Sequence, residues 1–224
     1  MTKEELLEDL DDRISAASIT GLWPDDFKLR AINQAGQRVC DFRPWEWLKR
    51  AVYTTTRDEK EYYDYPEDVP QLDGESFKFN SIYNIVIEDE EYYGNDGRIR
   101  KKWDDFQRNK NLEREDLIFT NHNKWFFLHP VPDDGKEMIL YGLLKWRDLE
   151  NDDDEPISPV EYDEAIVRIA LASCLRKAKK YDEARAEVAE VLSPEGGILT
   201  MLYIQEMDEG PRGYSGKFNH IRYE

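Results

Sequence analysis

Cysteine is nearly absent from this 224-residue chain, histidine is scarce, and bases are outnumbered by acids. The two cysteines, Cys40 and Cys174, lie far apart and outside any Cys-x-x-Cys pair, which excludes a disulfide framework and the common zinc spacings. Both are read as buried thiols in helices. The three histidines (122, 129, 220) never fall at the His-x-x-x-His spacing that sets two ligands on one helical face, so they are read as structural. The apolar runs, Met138 to Leu144 and Ile166 to Leu175, are too short to span a bilayer or are broken by Arg168, so no membrane span is expected. The start, Met-Thr-Lys-Glu-Glu, has no apolar leader, so synthesis and retention in a cytosol are expected. Glycine-rich phosphate loops, dinucleotide fingerprints and the Gly-x-Ser-x-Gly elbow are missing too, and no cofactor or catalytic residue is assigned. With 31 Lys+Arg against 49 Asp+Glu, a net charge of −18, phosphate binding is not the chain's main business, because that binding is driven by neutralising phosphates with bases.

What is present is apolar and aromatic. A hydrophobic share of 40%, with 6 Trp, 13 Tyr and 9 Phe, separates this chain from a disordered acidic tail, which lacks the apolar surface to offset chain entropy. Thr2-Lys3-Glu4-Glu5 has the form of a capping box, and Leu6, Leu7, Leu10 and Ile14 follow at helical spacing, which predicts a helix to about residue 18. Pro24, Asp25 and Asp26 suit the start of a second helix with a stripe of Phe27, Ala31, Ile32, Ala35 and Val39, ending before Pro44. Trp45-Glu46-Trp47-Leu48 is read as a core anchor at a helix end.

From Val52 the period changes. Val52 to Thr56 and Tyr62 to Tyr65 read as a hairpin, with further strands at Phe77 to Phe79, Ile82 to Ile87, Leu117 to Thr120, Trp125 to His129 and Met138 to Trp146. Asn121 to Lys124 and Pro132 to Gly135 are read as turns between paired strands, and a helix through Ile99, Trp103 and Phe106 as an interruption. The segment from Arg98 to Lys110 carries six bases around Trp103 and Phe106 and is expected to meet an acidic surface on a neighbouring protein rather than DNA.

Asp148 to Glu155 holds six acids in eight residues and is read as a solvated linker, since Asp152-Asp153-Asp154 lacks the alternating spacing of a calcium loop. Ser158-Pro159-Val160-Glu161 predicts a second capping box, before a long helix through Ala165, Ile166, Ile169, Ala170, Cys174 and Ala178. Tyr181-Asp182 opens another helix, broken at Ser193 to Gly197, and a short apolar helix runs from Ile198 to Met207. The tail from Gly210 to Glu224 sets Arg212, Lys217 and Arg222 against Glu224 alone, and interleaves Tyr214, Phe218, Ile221 and Tyr223. Such residues anchor segments that fold on a partner.

Helices, then strands, then helices predict an α+β fold: mainly a helical bundle made by the N- and C-terminal helices, with a central antiparallel β insertion and an extended C-terminal arm. The expected divisions are 1–50 (first half of the helical body), 51–156 (β insertion and acidic linker), 157–207 (second half of the body) and 208–224 (arm).

An ordered set of short motifs then stands out. It comprises Ile32-Asn33-Gln34-Ala35 with Val39-Cys40, Trp45-Glu46-Trp47-Leu48, Thr54-Thr55 and Tyr65-Pro66-Glu67-Asp68-Val69. It continues with Leu128-His129-Pro130-Val131-Pro132-Asp133, Leu140-Tyr141, Asp148-Leu149, Asp154-Glu155-Pro156-Ile157-Ser158-Pro159 and Tyr162-Asp163-Glu164-Ala165-Ile166. In these the chain resembles the head-to-tail adaptor (connector, head-completion) proteins of tailed bacteriophages, among them podovirus neck adaptors and tail tubular protein A. The resemblance implies a non-enzymatic virion protein of the neck, assembled in the host cytoplasm. It would form a twelve-fold ring of its own copies beneath the portal protein and line the channel through which DNA passes without specific binding, with a downstream tail or nozzle protein below. It also implies a portal-binding arm, carried here by Arg212, Tyr214, Lys217, Phe218, Ile221, Arg222 and Tyr223. The chain departs from the family pattern at Ser193 to Gly197. A tail stopper or completion protein of the same neck is the alternative within this class; an acidic DNA-mimic binding module and an enzyme are those outside it.

Overall fold

A computed structural model of the chain describes residues 1–19, 23–57, 59–66, 69–70, 76–94, 102–111, 117–122 and 125–208. The elements are α1 (Lys3–Ala16), α2 (Asp25–Phe42), β1 (Lys49–Thr55), β2 (Tyr62–Asp64), β3 (Val69–Pro70), β4 (Ser76–Phe77), β5 (Phe79–Ile87), β6 (Glu90–Gly94), α3 (Lys102–Asn111), β7 (Ile118–His122), β8 (Trp125–His129), β9 (Glu137–Leu144), α4 (Asp163–Lys177), α5 (Tyr181–Leu192) and α6 (Ile198–Asp208). Among the described residues they sort into two compact units, one built from residues 1–47 and 146–208, the other from Leu48–Lys145. The α+β order read from the sequence is therefore the observed one, with C-terminal helices packed on N-terminal helices.

In the helical unit the local signals act as read. Thr2 and Glu5 close a reciprocal capping box on α1, and Leu6, Leu10 and Ile14 are buried along one stripe. Asp25 and Asp26 lie in the first turn of α2, whose stripe of Ala31, Ile32, Ala35, Val39 and Cys40 is buried. Helix α4 is buried at nearly every position from Ala165 to Leu175, as a helix apolar around its circumference must be, and it packs against α1, α2 and α5. Its one interior base, Arg168, leaves on the α5 side, where Glu187 and Glu190 accept from its Nη1 at 2.9 Å each. Glu164 accepts from both Arg168 and Arg13, so one carboxylate ties α4 to α1.

One reading fails here and another is incomplete. Ser158 does not cap α4: its buried Oγ takes no partner among the described residues, and a 3-10 turn, Val160–Tyr162, precedes the helix. The turn follows from Tyr162, which is buried edge-on to Trp45 at 5.0 Å and Trp47 at 5.3 Å. Asp148 to Glu155 leaves Glu150, Asp152, Asp153 and Glu155 exposed, as a solvated acidic segment should, but it is also ordered against α1. Leu149 is buried, Asp154 accepts the Glu150 and Asn151 amides, and the segment adds to the start of α1, with the Lys3 N–H donating to the Asp154 carbonyl at 2.8 Å. Lys3 Nζ donates to the Glu150 carbonyl and pairs with Asp152, both at 2.8 Å. Backbone pairing and a bridging lysine order the segment while most of its carboxylates stay in solvent.

The second unit is a seven-stranded sheet in the order β1-β9-β5-β6-β7-β8-β2, with a separate β3-β4 pair. Val52 to Thr55 and Tyr62 to Asp64 are strands but not a hairpin: β1 pairs with β9 over seven residues, and β2 pairs with β8. The long apolar β9 offers β1 a full ladder. The three-residue β2 instead gains ring contacts on β8, Tyr63 stacking on Phe126 at 5.3 Å and Tyr62 meeting Phe127 at 5.7 Å. Pro132 to Gly135 is likewise a turn, but β8 and β9 do not pair. It closes on the end of β1, where Thr56 exchanges hydrogen bonds with Lys136 at 2.9 Å and its carbonyl accepts from Gly135 at 3.1 Å. All pairs are antiparallel except β6 with β7, whose connection contains α3, as a parallel pair requires a crossover. Of the expected interrupting helix, Trp103 and Phe106 lie in α3 and Ile99 lies outside the described residues.

Candidate assembly surfaces

Trp45 organises one end of the helical unit. Its buried indole donates to the Val39 carbonyl at 2.7 Å, stacks toward Trp47 at 6.4 Å, and receives Tyr203 of α6 edge-on at 6.0 Å. Arg43 lies over the Tyr203 ring at 4.3 Å, and the Glu46 amide donates to the Glu206 carboxylate at 3.1 Å. Leu199 and Thr200 are buried, and Thr200 donates to the Ser193 carbonyl at 2.9 Å. The bend before α6 needs Gly197, since a Cβ there would collide with the backbone of Val191 and Ser193. One side of α6 is thus fixed. The other side exposes Met201 (57%), Ile204 (47%) and Met207 (65%), which share a face at spacings of three residues.

The far end of α4 has the opposite character. Lys177 lies over the rings of Phe27 at 3.7 Å and Trp23 at 5.1 Å, and these two rings meet at 5.6 Å. Lys180 donates to the Ala17 carbonyl at 2.9 Å, and Tyr181, opening α5, is 60% exposed. Arg176, Lys177, Lys179 and Lys180 make this end basic.

In the sheet unit, the strands at the two ends of the order line one cavity of about 360 Å³. Val52, Met138 and Leu140 come from one side of it, Tyr63 and Phe126 from the other. The Tyr63 hydroxyl accepts from the Arg57 amide at 3.0 Å, and burial pushes its phenol above the usual value. Elsewhere, Trp103 stacks on His122 at 4.5 Å and meets Phe127 edge-on at 4.7 Å, and His129 stands edge-on to Phe106 at 6.4 Å, so both histidines serve in ring contacts. His220 lies outside the described residues. Within the basic segment, Lys110 is paired inside its own unit, with Glu61 at 2.6 Å; Arg98, Arg100 and Lys101 lie outside the described residues.

The titratable groups that depart from their ordinary values are explained by packing. Burial pushes the Cys40 thiol up to about 12 and the Cys174 thiol up to about 11, and both are free thiols in helices, as read. Burial also raises the Asp163 carboxyl, whose Oδ2 accepts from the Met1 amine at 3.0 Å. Among the described residues no group of three or more His, Cys, Asp or Glu could hold a metal ion, and no helix is long and apolar enough to cross a membrane.

The seven residues assigned to an arm, Arg212, Tyr214, Lys217, Phe218, Ile221, Arg222 and Tyr223, lie outside the described residues. The outward face of α6 was missed as a surface, although its signal was present: Ile198 to Met207 is mostly apolar, with Thr200, Gln205 and Glu206 its only polar residues.

Ion pairs and rings here hold elements to one another, and the outward features include the apolar face of α6, the exposed Tyr181 ring and the basic end of α4. Those are the marks of a structural protein that meets other proteins. Residues 1–193 match the family model of the SU10 adaptor protein, and the chain belongs to that family of phage head-to-tail adaptors. The resemblance carried by the motifs from Ile32 to Ile166 thus holds at the level of the family. The match ends at Ser193, where the sequence departs from the pattern, so α6 and the residues after it lie beyond it. No protein with a curated description matches the chain.

Proposed function

We propose that this protein is a structural component of the phage neck, a head-to-tail adaptor whose copies form a ring, twelve-fold in this reading, beneath the portal. The observation that carries it is the family match over residues 1–193, across a chain whose helices, sheet and returning helices follow the order expected of an adaptor. In this reading residues 1–50 and 157–207 form the ring body, 51–156 face the next tail or nozzle protein, and 208–224 dock on the portal through Arg212, Tyr214, Lys217, Phe218, Ile221, Arg222 and Tyr223. The net charge of −18 supports a conduit rather than a DNA ligand. Carboxylates facing a lumen repel phosphates within about 8 Å at physiological salt, so a duplex slides during genome ejection. The protein is then a virion component assembled in the host cytoplasm, acting without a cofactor.

The test is binding of full-length protein and of a 210–224 deletion to purified portal rings, with ring multiplicity read by mass. Full-length protein is expected to add as a complete ring and the deletion to remain unbound while melting normally. Attachment of the deletion overturns the arm assignment. Failure of the full-length protein to attach overturns the adaptor reading.

A further inference from the structure

We infer that neighbouring copies meet through opposite charges, with the basic end of the sheet's outward face in one copy seated on the acidic segment Asp148 to Glu155, and the exposed Val160 beyond it, in the next. This rests on the ring reading above and names the surface through which neighbours join.

The argument begins with two lysines. Phe79 of β5 and Leu144 of β9 stand opposite each other and are both buried, so the residues beside them, Lys78 and Lys145, stand together on the other face of the sheet, where both are exposed. The Lys145 N–H donates to the Lys78 carbonyl at 2.8 Å, which fixes the two lysines as cross-strand neighbours. Like charges directly opposite each other repel. In a chain with 49 acids neither lysine forms an ion pair with a described residue, and Lys49 of β1, opposite Leu143, brings a third base to the same end. A repelling pair left without a carboxylate marks a surface that an acidic partner completes.

Beyond the lysines the same face is apolar. Ile139, Tyr141 and Leu143 of β9 are half-buried and alternate with buried residues, Tyr53 stands opposite Ile139, and the exposed Tyr83 meets Tyr141 at 6.4 Å. A phosphate backbone offers such side chains nothing, whereas an apolar centre with a charged rim is the build of a protein interface. The carboxylates therefore belong to a protein.

The chain carries the matching surface itself. Glu150, Asp153 and Glu155 are exposed and form no ion pair with described residues, on a segment that backbone pairing holds against α1. Glu155 precedes Pro156 and Ser158 precedes Pro159, which keeps the stretch extended, and Val160 beyond them is 63% exposed. Acids followed by an apolar side chain thus answer bases followed by an apolar face. Two different patches, each complementary to the other, make a heterologous contact, and its repetition closes a ring when the rotation permits.

The test uses full-length protein assembled on purified portal rings. A photo-crosslinking residue replaces Val160, and isotope-labelled copies are mixed with unlabelled ones so that links between copies are recognised by mass. Links from position 160 to peptides holding Lys78 or Lys145 of another copy are expected. Lys78→Glu, which turns a repelling pair into an attracting one, is expected to keep or raise the melting temperature of the free protein while lowering ring occupancy about tenfold. Asp153→Lys with Glu155→Lys is expected to lower occupancy likewise, and to restore it when combined with Lys78→Glu and Lys145→Glu. Rings in which position 160 is linked within its own copy, to the portal or to nothing overturn this surface and leave the ring reading standing, as do charge reversals that leave occupancy unchanged or a combination that restores nothing. Copies of the unaltered protein that do not attach to the portal at all overturn the ring reading, and this inference with it.

Discussion

Asn33 of α2 holds Leu149 at both of its backbone groups: the Leu149 amide donates to Asn33 Oδ1 at 2.9 Å, and Asn33 Nδ2 donates to the Leu149 carbonyl at 3.4 Å. The same Oδ1 accepts from the Trp146 indole at 3.2 Å. One side chain thus fixes the chain where it re-enters the helical unit, and two of the sequence motifs, Ile32-Asn33-Gln34-Ala35 and Asp148-Leu149, are the two halves of one contact. Asn33→Ala strips two donors of their acceptor at a partly buried site, where an unsatisfied group costs about 1–3 kcal/mol. A loss of about 2 kcal/mol is expected in urea unfolding, with Asn33→Asp, which keeps the acceptor, losing less. Equal losses for the two variants would show that the carbonyl-side bond carries the contact.

Gly36 lies one turn beyond Asn33, against the buried Trp146. Alanine normally improves a helix interior by about 1 kcal/mol over glycine. At this position a Cβ would fall among the carbons of the Trp146 indole, a rigid ring already anchored on Asn33. Gly36→Ala is therefore expected to destabilise by about 1–3 kcal/mol, the cost typical of overpacking. A rise in the urea midpoint would show that the ring moves aside freely.

Glu164 makes the acid limb of stability. Hydrogen bonds from Arg13, then from Arg168, hold its carboxyl below the usual carboxylate range, against the opposing effect of burial. Because the folded-state value is lowered, the contribution is complete above the unfolded value, about 4.3, and is lost as pH falls through the folded value. Glu164→Gln is expected to melt below wild type at pH 7, with the gap closing below about pH 4. Melting curves from pH 7 to 3 measure this, and a gap independent of pH would remove the charge from the explanation.

Cys40 and Cys174 are predicted to be inert in the native state. Burial pushes the thiols up to about 12 and about 11, so almost no thiolate exists at neutral pH. A chromogenic disulfide reagent should label neither at pH 8 and both after unfolding in guanidinium. Rapid labelling of one thiol in native protein would place a local opening at α2 or α4.

The sequence by itself determined whatever depends on neighbours along the chain. Capping at Thr2, the acidic start of α2, the stripes of α1 and α2, the strands at Trp125 to His129 and Met138 onward, and the break at Ser193 are local preferences that packing reinforced. Of the ordered motifs, Ile32-Asn33-Gln34-Ala35 and Asp148-Leu149 meet in one contact of the fold, as Asn33 with Leu149 shows. Tertiary structure alone decided strand partners and the fate of polar segments. The pairing of β1 with β9 rather than β2 is a competition between distant ladders, settled by length of register and ring contacts that no window of sequence contains. The acidic segment from Asp148 to Glu155 is solvated as its charge suggests, but charge counts do not tell what its backbone pairs with. It became structure when Lys3 and the backbone of α1 met it from the far end of the chain. The outward stripe of α6 belongs with these: its composition was visible from the start, but which side is already occupied by Trp45 is a fact of three dimensions.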